Sequence, residues 1–564
     1  MENKEYMLID GNPVEINGEK NLLEVIRKAG IELPTFCYHS ELSVYGACRM
    51  CMVENSHGGM EAACSTVPKA GMEIYTNTER LHKHRKMILE LLLANHCRDC
   101  TTCQKNGKCR LQELASLFGL ESIRFKNLKP EPELDTSSLS IIRDAHKCIL
   151  CGDCVRMCNE IQNVGAIDFV NRGSKMVIGP AFNEPIANSP CVGCGQCAAV
   201  CPTGAIVIRK DTGRVWPELN DKNTKVVAQV APAVRVAMAK EFGLPENENS
   251  MGRITAALRR LGFDEVYDTA TGADLTVLEE SNEFLQRIEA GENLPLITSC
   301  CPAWIQYCEK NHPELMKNIS PCKSPMQMFS SVIKAKYATS SRRVVCVAVM
   351  PCTAKKFECA REEFMHDGVP ETDYVITTQE LIQMIHKAGI VFEELEPEAV
   401  DSVFSTCTGA GVIFGVTGGV TEAVLRRLST DKSNKALMSI AFNDVRGMKG
   451  VKETTIPYGD KEVRIAIVSG LKNAEKVIQA LKNGEHFDFI EVMACPGGCV
   501  AGGGQPFGTN ATKEVRGKAL YSADKMLSIK RSEENPLMLS LYDGVLKGRV
   551  HELLHVHYNH KEEE

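Results

Sequence analysis

Residues 148–158 read CILCGDCVRMC and residues 191–202 read CVGCGQCAAVCP. Both are Cys-x2-Cys-x2-Cys-x3-Cys, and eight cysteines repeated in register are hard to obtain by chance. Three thiols at this spacing can wrap one face of an iron–sulfur cube, while the helical turn that follows carries the fourth to another cube. One [4Fe–4S] cluster is therefore expected on Cys148, Cys151, Cys154 and Cys201, and a second on Cys191, Cys194, Cys197 and Cys158. The chain holds 26 cysteines in 564 residues, with 44% hydrophobic and 24% charged residues. A chain this long builds its own core without disulfide staples. Its start, MENKEYMLID, has acidic residues and no apolar segment, so no export signal, a cytoplasmic location and reduced thiols are predicted. Reduced thiols in tight groups are metal ligands. The net charge of −7 gives no support to a nucleic-acid partner. The longest apolar run, Val344–Met350, falls far short of the roughly 20 residues of a membrane span.

Upstream lie two more groups. Cys37, Cys48, Cys51 and Cys64 follow YMLIDGNPVEINGEKNLLEVIRKAGIELPTF, which predicts a hairpin turning at Gly11-Asn12-Pro13 and an amphipathic helix Asn21–Ala29 stopped by Gly30. Two strands, a helix and a glycine-rich cysteine loop resemble the plant-ferredoxin (β-grasp) domain that holds a [2Fe–2S] cluster. The plant spacing begins with four residues between the first two cysteines. Here there are ten, as in the N-terminal domain of complex I large iron–sulfur subunits. A zinc ribbon usually pairs two close CxxC units, and only Cys48/Cys51 is close. After a helical stretch Glu79–Ala94 come His96, Cys100, Cys103 and Cys109. Three thiolates and an imidazole suit zinc or a [4Fe–4S] cluster of raised potential, and the iron–sulfur groups on both sides favour the cluster. Cys97 is read as a bystander. The repeat itself is that of bacterial ferredoxins, and four clusters in a row make an electron wire.

From about Lys225, apolar runs alternate with helical stretches, the sign of α/β layers. KVVAQVAPAVR, NLPLITSCCPAW, SRRVVCVAVMPCTAKKFE and HFDFIEVMACPGGC each read as a buried strand stopped by Pro or Gly, three of them with cysteine just beyond. Ligands in open α/β sheets bind outside the carboxyl ends of strands. Cys301, Cys352, Cys495 and Cys499 are thus expected at one pocket.

TSCCPAW, MPCTAKKFE and EVMACPGGCVAGGGQP resemble the three signature stretches of [FeFe] hydrogenases, and the likeness extends over the whole chain. It implies that Cys301, Cys352, Cys495 and Cys499 bind a [4Fe–4S] cube. It also implies that Cys499 bridges to a diiron subcluster with CO, CN⁻ and azadithiolate ligands, the two forming the H-cluster. The implied cofactors are one [2Fe–2S] and four [4Fe–4S] clusters, one of them His-ligated and one within the H-cluster. The implied reaction is 2 H⁺ + 2 e⁻ ⇌ H₂, with ferredoxin or flavodoxin as redox partner and maturases to install the diiron unit. Lys355 can hydrogen-bond an anionic cyanide and Glu358 can hold that lysine, although an i,i+3 pair is also an ordinary surface ion pair. Pro232, Ala233, Pro325, Met350, Phe414 and Met493 are expected to wall the pocket. The helix LTVLEESNEFLQRIEA puts Glu280, Glu283 and Arg287 on one face, alone the mark of a solvated stripe. The resemblance implies instead a proton relay of Cys300, Glu280, Ser320, Glu283 and Arg287.

Ala233, Met326 and Thr421 stand where relatives carry Ser, Gln and Met. Cys322 and Cys407 read as small buried hydrophobes, with a redox role as the alternative, and Cys308, Cys346 and Cys359 as inert thiols. The end of the chain reads as a helix with a His-rich tail (His551, His555, His557, His560). The expected architecture is multidomain α+β. It comprises a β-grasp ferredoxin domain (1–80), a His/Cys3 cluster domain (81–125), a bacterial 2[4Fe–4S] ferredoxin domain (126–211) and a large two-lobed α/β catalytic domain (212–564). Three rivals remain: a non-catalytic electron-transfer or cluster-assembly relative, a hydrogen sensor, and a subunit of an NAD-linked or electron-bifurcating complex. The last would take its nicotinamide site from another subunit, since no GxGxxG context is evident.

Overall fold

Asp10 and Gly11 take positive φ, 49° and 80°, and close a two-residue turn between strands Glu5–Ile9 and Asn12–Ile16. The computed structural model describes residues 5–127, 133–429, 445–458 and 461–558. The turn is thus one residue earlier than the sequence suggests. Asp-Gly supplies both positive-φ positions of a turn that matches strand twist. Pro13 then falls in an edge strand, where its missing N–H is tolerated. The five-stranded sheet runs Asn12–Ile16, Glu5–Ile9, Glu73–Tyr75, Met52–Asn55, Met60–Ala62. Helix Leu22–Lys28 covers it, capped by the Asn21 side chain on the Glu24 amide and burying Leu22, Leu23, Val25 and Ile26. Helix Glu79–Ala94 has the expected bounds and a Thr78 cap. Its buried Arg85 donates to the carbonyls of Met50, Met52 and Thr76, fastening the second domain to the first.

In the cysteine repeat, Gly152 and Gly195 both adopt left-handed φ (77° and 69°) immediately before short helices Asp153–Arg156 and Gln196–Val200. A glycine there lets three thiols turn round one centre before the helix carries the next away. Strand Ile141–Arg143 pairs with Ile206–Ile208, closing the unit end to end.

The C-terminal half contains two parallel arrays. Glu265–Asp268, Thr224–Val230, Arg343–Met350 and Tyr374–Thr377 form one all-parallel sheet. Leu296–Ile297, Phe489–Met493 and Lys461–Ser469 run parallel in the other, with Val451–Tyr458 antiparallel at its edge. The four strands singled out in the sequence therefore divide two and two between lobes. Each lobe has its own aliphatic core, Val226, Val345, Val347 and Ile376 in the first and Ile297, Ala466, Val468 and Ile490 in the second. The long helix Ala270–Ala290 passes so close to helix Pro325–Lys336 that a Cβ on Gly272 would meet the Pro325 carbonyl oxygen at 2.3 Å.

The C-terminal segment forms two helices, Pro536–Asp543 and Val550–Leu554, rather than one. The chain breaks between them at Gly544 and at the left-handed Gly548. It closes on residues 321–323 through Val556 N–H to Pro321 O (2.7 Å) and Lys323 N–H to Leu554 O (2.8 Å). His560 lies outside the described residues. Among the described residues no helix is long and apolar enough to cross a membrane.

Candidate active site

The four N-terminal thiols form two sulfur pairs, Cys37 with Cys48 and Cys51 with Cys64. In each pair the mutual hydrogen bond pulls one thiol below its ordinary pKa and pushes the other up. Two-by-two thiolates suit a two-iron core, with two sulfurs on each metal.

Cys100, Cys103 and Cys109 are mutual neighbours, and Cys97 lies next to Cys100. His96 is buried at the end of its helix, with Nδ1 accepting the Arg98 amide at 3.1 Å. That bond leaves the ring proton on Nε2, so binding iron through Nε2 requires the bond to be exchanged.

Cys148, Cys151, Cys154 and Cys201 line one cavity, and Cys158, Cys191, Cys194 and Cys197 another. The fourth cysteine of each motif has crossed to the other group. Burial and then neighbouring thiolates push Cys154, Cys194 and Cys197 well above the usual thiol range. Sulfurs packed this way repel one another as thiolates unless a cationic core lies among them. Among the described residues no three His, Cys, Asp or Glu side chains converge as a single chelated ion needs. The donor set fits clusters.

The groups also follow one another in space. Cys37, Cys48, Cys109 and Cys151 share one apolar cluster. Cys154 neighbours Cys197, and Cys194 neighbours Cys495. Gln196, which carries no sequence signal, donates to Cys495 Sγ (3.1 Å) and Ala501 O (2.9 Å). Gly503 packs so closely that a Cβ there would lie 2.4 Å from Cys194 O.

Between the two lobes the loops after the four strands meet. Cys301 caps helix Pro302–Asn311 and accepts the Ala494 amide at 3.4 Å. Cys352, Cys301 and Cys499 are the nearest charged neighbours of Cys495. Gly497 and Gly498, at φ 92° and 87°, separate Cys495 from Cys499, and a Cβ on Gly498 would strike the Thr417 amide at 2.6 Å. The adjoining cavity is lined by Pro232, Ala233, Pro325, Met326, Met350, Phe414 and Met493, with Cys300, Cys352, Cys499 and Lys355 its reactive groups. Lys355 Nζ reaches Glu358 Oε2 at 2.7 Å and Cys300 O at 3.2 Å, with both side chains buried. Burial alone would lower the lysine pKa, but Glu358 reverses the direction and keeps it a cation. It is therefore a buried ion pair, not the surface pair that its spacing allows.

Glu280 is fully buried and neither carboxyl oxygen closes a hydrogen bond. The Ser320 hydroxyl and Ser299 amide lie beside it, and burial pushes its pKa up to about 7. Glu283 pairs with Arg287 at 2.7 Å, and Arg287 also donates to Asn318 O and Ile319 O, the two residues before Ser320. Burial and then the charge of Glu280 push the Cys300 thiol well above the usual range. The helix stripe is thus buried at one end and half-buried at the other.

Thr421 donates its hydroxyl to the buried Glu491 at 2.8 Å. Cys359 donates to Lys356 O (3.2 Å) and Cys308 to His312 O (3.4 Å), local bonds, whereas Cys407 reaches Asp268 (3.7 Å) on a distant strand.

Five family models match in chain order. They are a 2Fe–2S iron–sulfur cluster binding domain (6–79), the NADH-ubiquinone oxidoreductase-G iron–sulfur binding region (85–124) and a 4Fe–4S dicluster domain (147–209). The C-terminal domain of the iron-only hydrogenase large subunit (224–503) and the iron hydrogenase small subunit (510–561) follow. The chain is 41% identical to the NADP-reducing hydrogenase subunit HndD of Solidesulfovibrio fructosivorans, over 98% of each.

The chain belongs to the [FeFe] hydrogenase family.

Iron hydrogenase 1 of Clostridium pasteurianum is 35% identical, covering 98% of this chain and 99% of that relative. A solved variant of the [FeFe]-hydrogenase HydA1 from Chlamydomonas reinhardtii superposes with a TM-score of 0.54 at 37% identity, over 62% of this chain and 98% of that one. The Chlamydomonas enzyme thus corresponds in extent to less than two thirds of this hydrogenase-family chain.

Proposed function

We propose that the chain catalyses 2 H⁺ + 2 e⁻ ⇌ H₂ at an H-cluster held by Cys301, Cys352, Cys495 and Cys499. The observation that carries this reading is the interlobe cavity, where Cys352, Cys499 and one buried lysine meet a lining of Pro, Met and Phe, with Cys301 and Cys495 grouped with them behind the wall. When bound, the H-cluster supplies the redox-active iron and the basic amine at which protons and electrons combine. Lys355 presents a charged donor to an anionic ligand in the cavity, and Glu358 fixes its direction. Pro232, Ala233, Pro325, Met350, Phe414 and Met493 keep water out. Cys300 holds a proton at the cavity wall and exchanges it with Glu280. Glu280 passes it by way of Ser320 to Glu283, which the Arg287 guanidinium holds in place at the half-buried helix end.

Electrons arrive through the remaining sulfur groups. Cys37, Cys48, Cys51 and Cys64 hold a [2Fe–2S] cluster, and His96, Cys100, Cys103 and Cys109 a [4Fe–4S] cluster. Both groups adjoin the repeat, whose second cluster, on Cys158, Cys191, Cys194 and Cys197, abuts Cys495. In the matured chain, infrared bands of bound CO and CN⁻ are expected together with hydrogen turnover, and a matured chain without these bands would exclude an H-cluster.

The redox partner is either ferredoxin, accepted by the chain alone, or a pyridine nucleotide reached through another subunit. The HndD relative, an NADP-reducing hydrogenase subunit by name, favours the second. Activity of the purified chain with reduced ferredoxin, and none with NADPH, would identify the first.

Gly503→Ala tests the wire. Its methyl would overlap the Cys194 carbonyl and Gly195 backbone, forcing the repeat away at a cost of about 1–3 kcal/mol. Reduction of the accessory clusters by hydrogen should slow more than hydrogen-driven reduction of a small dye at the H-cluster itself. Equal slowing of both would show that the contact carries no electrons.

A further inference from the structure

The two halves of the cysteine repeat differ beyond their fourth cysteine. Two residues separate Cys201 from Gly204-Ala205-Ile206, but six separate Cys158 from Gly165-Ala166-Ile167, so the first half carries four more. They are taken up in a wide π turn, in which the Gln162 amide donates to Met157 O at 3.1 Å. Single turns of this kind gather at functional sites. Two polar side chains of the stretch bond outward. Glu160 accepts the Ser43 amide (2.9 Å) and hydroxyl of the first domain, and Asn163 donates to the Tyr307 hydroxyl (3.1 Å) of the C-terminal half. Gln162 does neither. It is 1% exposed, and among the described residues neither its Nε2 nor its Oε1 has a hydrogen-bond partner. It lines the cavity of Cys158, Cys191, Cys194 and Cys197. Burying an amide with neither atom bonded is costly and rare. The matching cavity of Cys148, Cys151, Cys154 and Cys201 has no counterpart. Its polar lining residues are engaged elsewhere, Arg143 with Ile178 O and Asn183, Asp144 with the His146 amide, and Thr203 with Lys147 O.

We propose that Gln162 Nε2 donates a hydrogen bond to the [4Fe–4S] cluster of Cys158, Cys191, Cys194 and Cys197 and raises its reduction potential. This rests on the cluster assignment proposed above. Thiolates and sulfides accept hydrogen bonds and donate none, so the amide serves the cluster through its NH₂ and not through its carbonyl. An electron added to the cluster makes its sulfurs more negative and the bond stronger, which favours the reduced state. This is the cluster whose wall residue Gln196 reaches Cys495. Gln162 therefore holds electrons at the end of the wire that adjoins the catalytic cavity, and it breaks the redox symmetry of the repeat.

Gln162→Leu keeps the volume and removes the donor. In a redox titration read by electron paramagnetic resonance, the ratio of reduced to oxidised cluster at a fixed potential should fall about tenfold. That is a shift of about 59 mV for one electron. Cys191→Ser, which changes one ligand, marks this cluster's signal among the others. Gln162→Glu, of the same shape, should also lower the potential and make it depend on pH, because the carboxyl takes up a proton as the cluster takes up an electron. A side chain that only packs would do neither, and a potential unmoved in both variants overturns the proposal. If neither variant keeps the cluster, labelling decides. With glutamine ¹⁵N-labelled at the side-chain amide, and the other glutamine of that wall removed as Gln196→Leu, the reduced cluster should show a ¹⁵N coupling. Its absence overturns the proposal. A reduced parent with no [4Fe–4S] signal overturns the cluster assignment itself.

Discussion

Cys300→Ala should cut hydrogen turnover by at least about 10²-fold, the low end for loss of a general acid–base group, while leaving every cluster in place. Cys300 stands at the wall of the interlobe cavity, within electrostatic reach of Glu280. Lys355, the other titratable group there besides the cluster thiols, is tied to Glu358. Alanine fills nearly the same volume, so the expected signature is unchanged CO and CN⁻ bands with collapsed turnover. Glu280→Gln should act alike and add a pH signature. Burial raises the Glu280 carboxyl to about 7 from its ordinary value. Below pH 7 it carries a proton and above pH 7 it is ionised, so hydrogen evolution, which needs protons delivered inward, should fall as pH rises through that value. The amide cannot titrate, and the step should vanish along with most of the rate. Parent-like turnover in Cys300→Ala, with intact infrared bands, would remove Cys300 from the relay.

Lys355→Met should be nearly as damaging, for a different reason. Lys355 and Glu358 form a buried ion pair, 8% and 2% exposed. Removing one partner strands the other charge in low dielectric and costs about 3–5 kcal/mol. It also removes the lysine cation from the cavity lining. Two effects are therefore expected, a lower unfolding midpoint and failure to retain the diiron unit. The double variant Lys355→Met/Glu358→Met separates them. Two apolar residues in place of a buried pair recover stability, but no lysine donor remains for an anionic ligand. If the double variant regains the diiron bands along with its stability, Lys355 serves folding alone.

The sulfur groups show how far local sequence reaches. Cys-x2-Cys-x2-Cys-x3-Cys fixes three thiols round one centre because a glycine and a single helical turn leave the backbone few alternatives, and Gly152 and Gly195 adopt the same left-handed geometry. Helix bounds at Asn21–Ala29 and Glu79–Ala94 were equally legible, because caps and apolar spacing are local. The hairpin turn was displaced by one residue because Asp10 as well as Gly11 accepts positive φ. At the other extreme, Glu280 on a mixed-charge helix reads as solvated until the C-terminal segment and the Ser320 loop are packed over it. Gln196 gave no signal, since what matters is the domain it touches.

By itself the sequence determined the thiol groups made of neighbouring residues, the order of the sulfur groups along the chain and the strands that end at cysteine. These rest on spacing, and spacing acts over a few residues through backbone geometry. Only the tertiary structure decided that the four strands leading to the cavity belong to two sheets with that cavity between them. It alone showed that Lys355 and Glu358 are buried together, and that Glu280 is buried without a hydrogen-bond partner. Burial and proximity across hundreds of residues are set by packing, and it is packing that turns an ordinary carboxyl, lysine or thiol into a group with work to do.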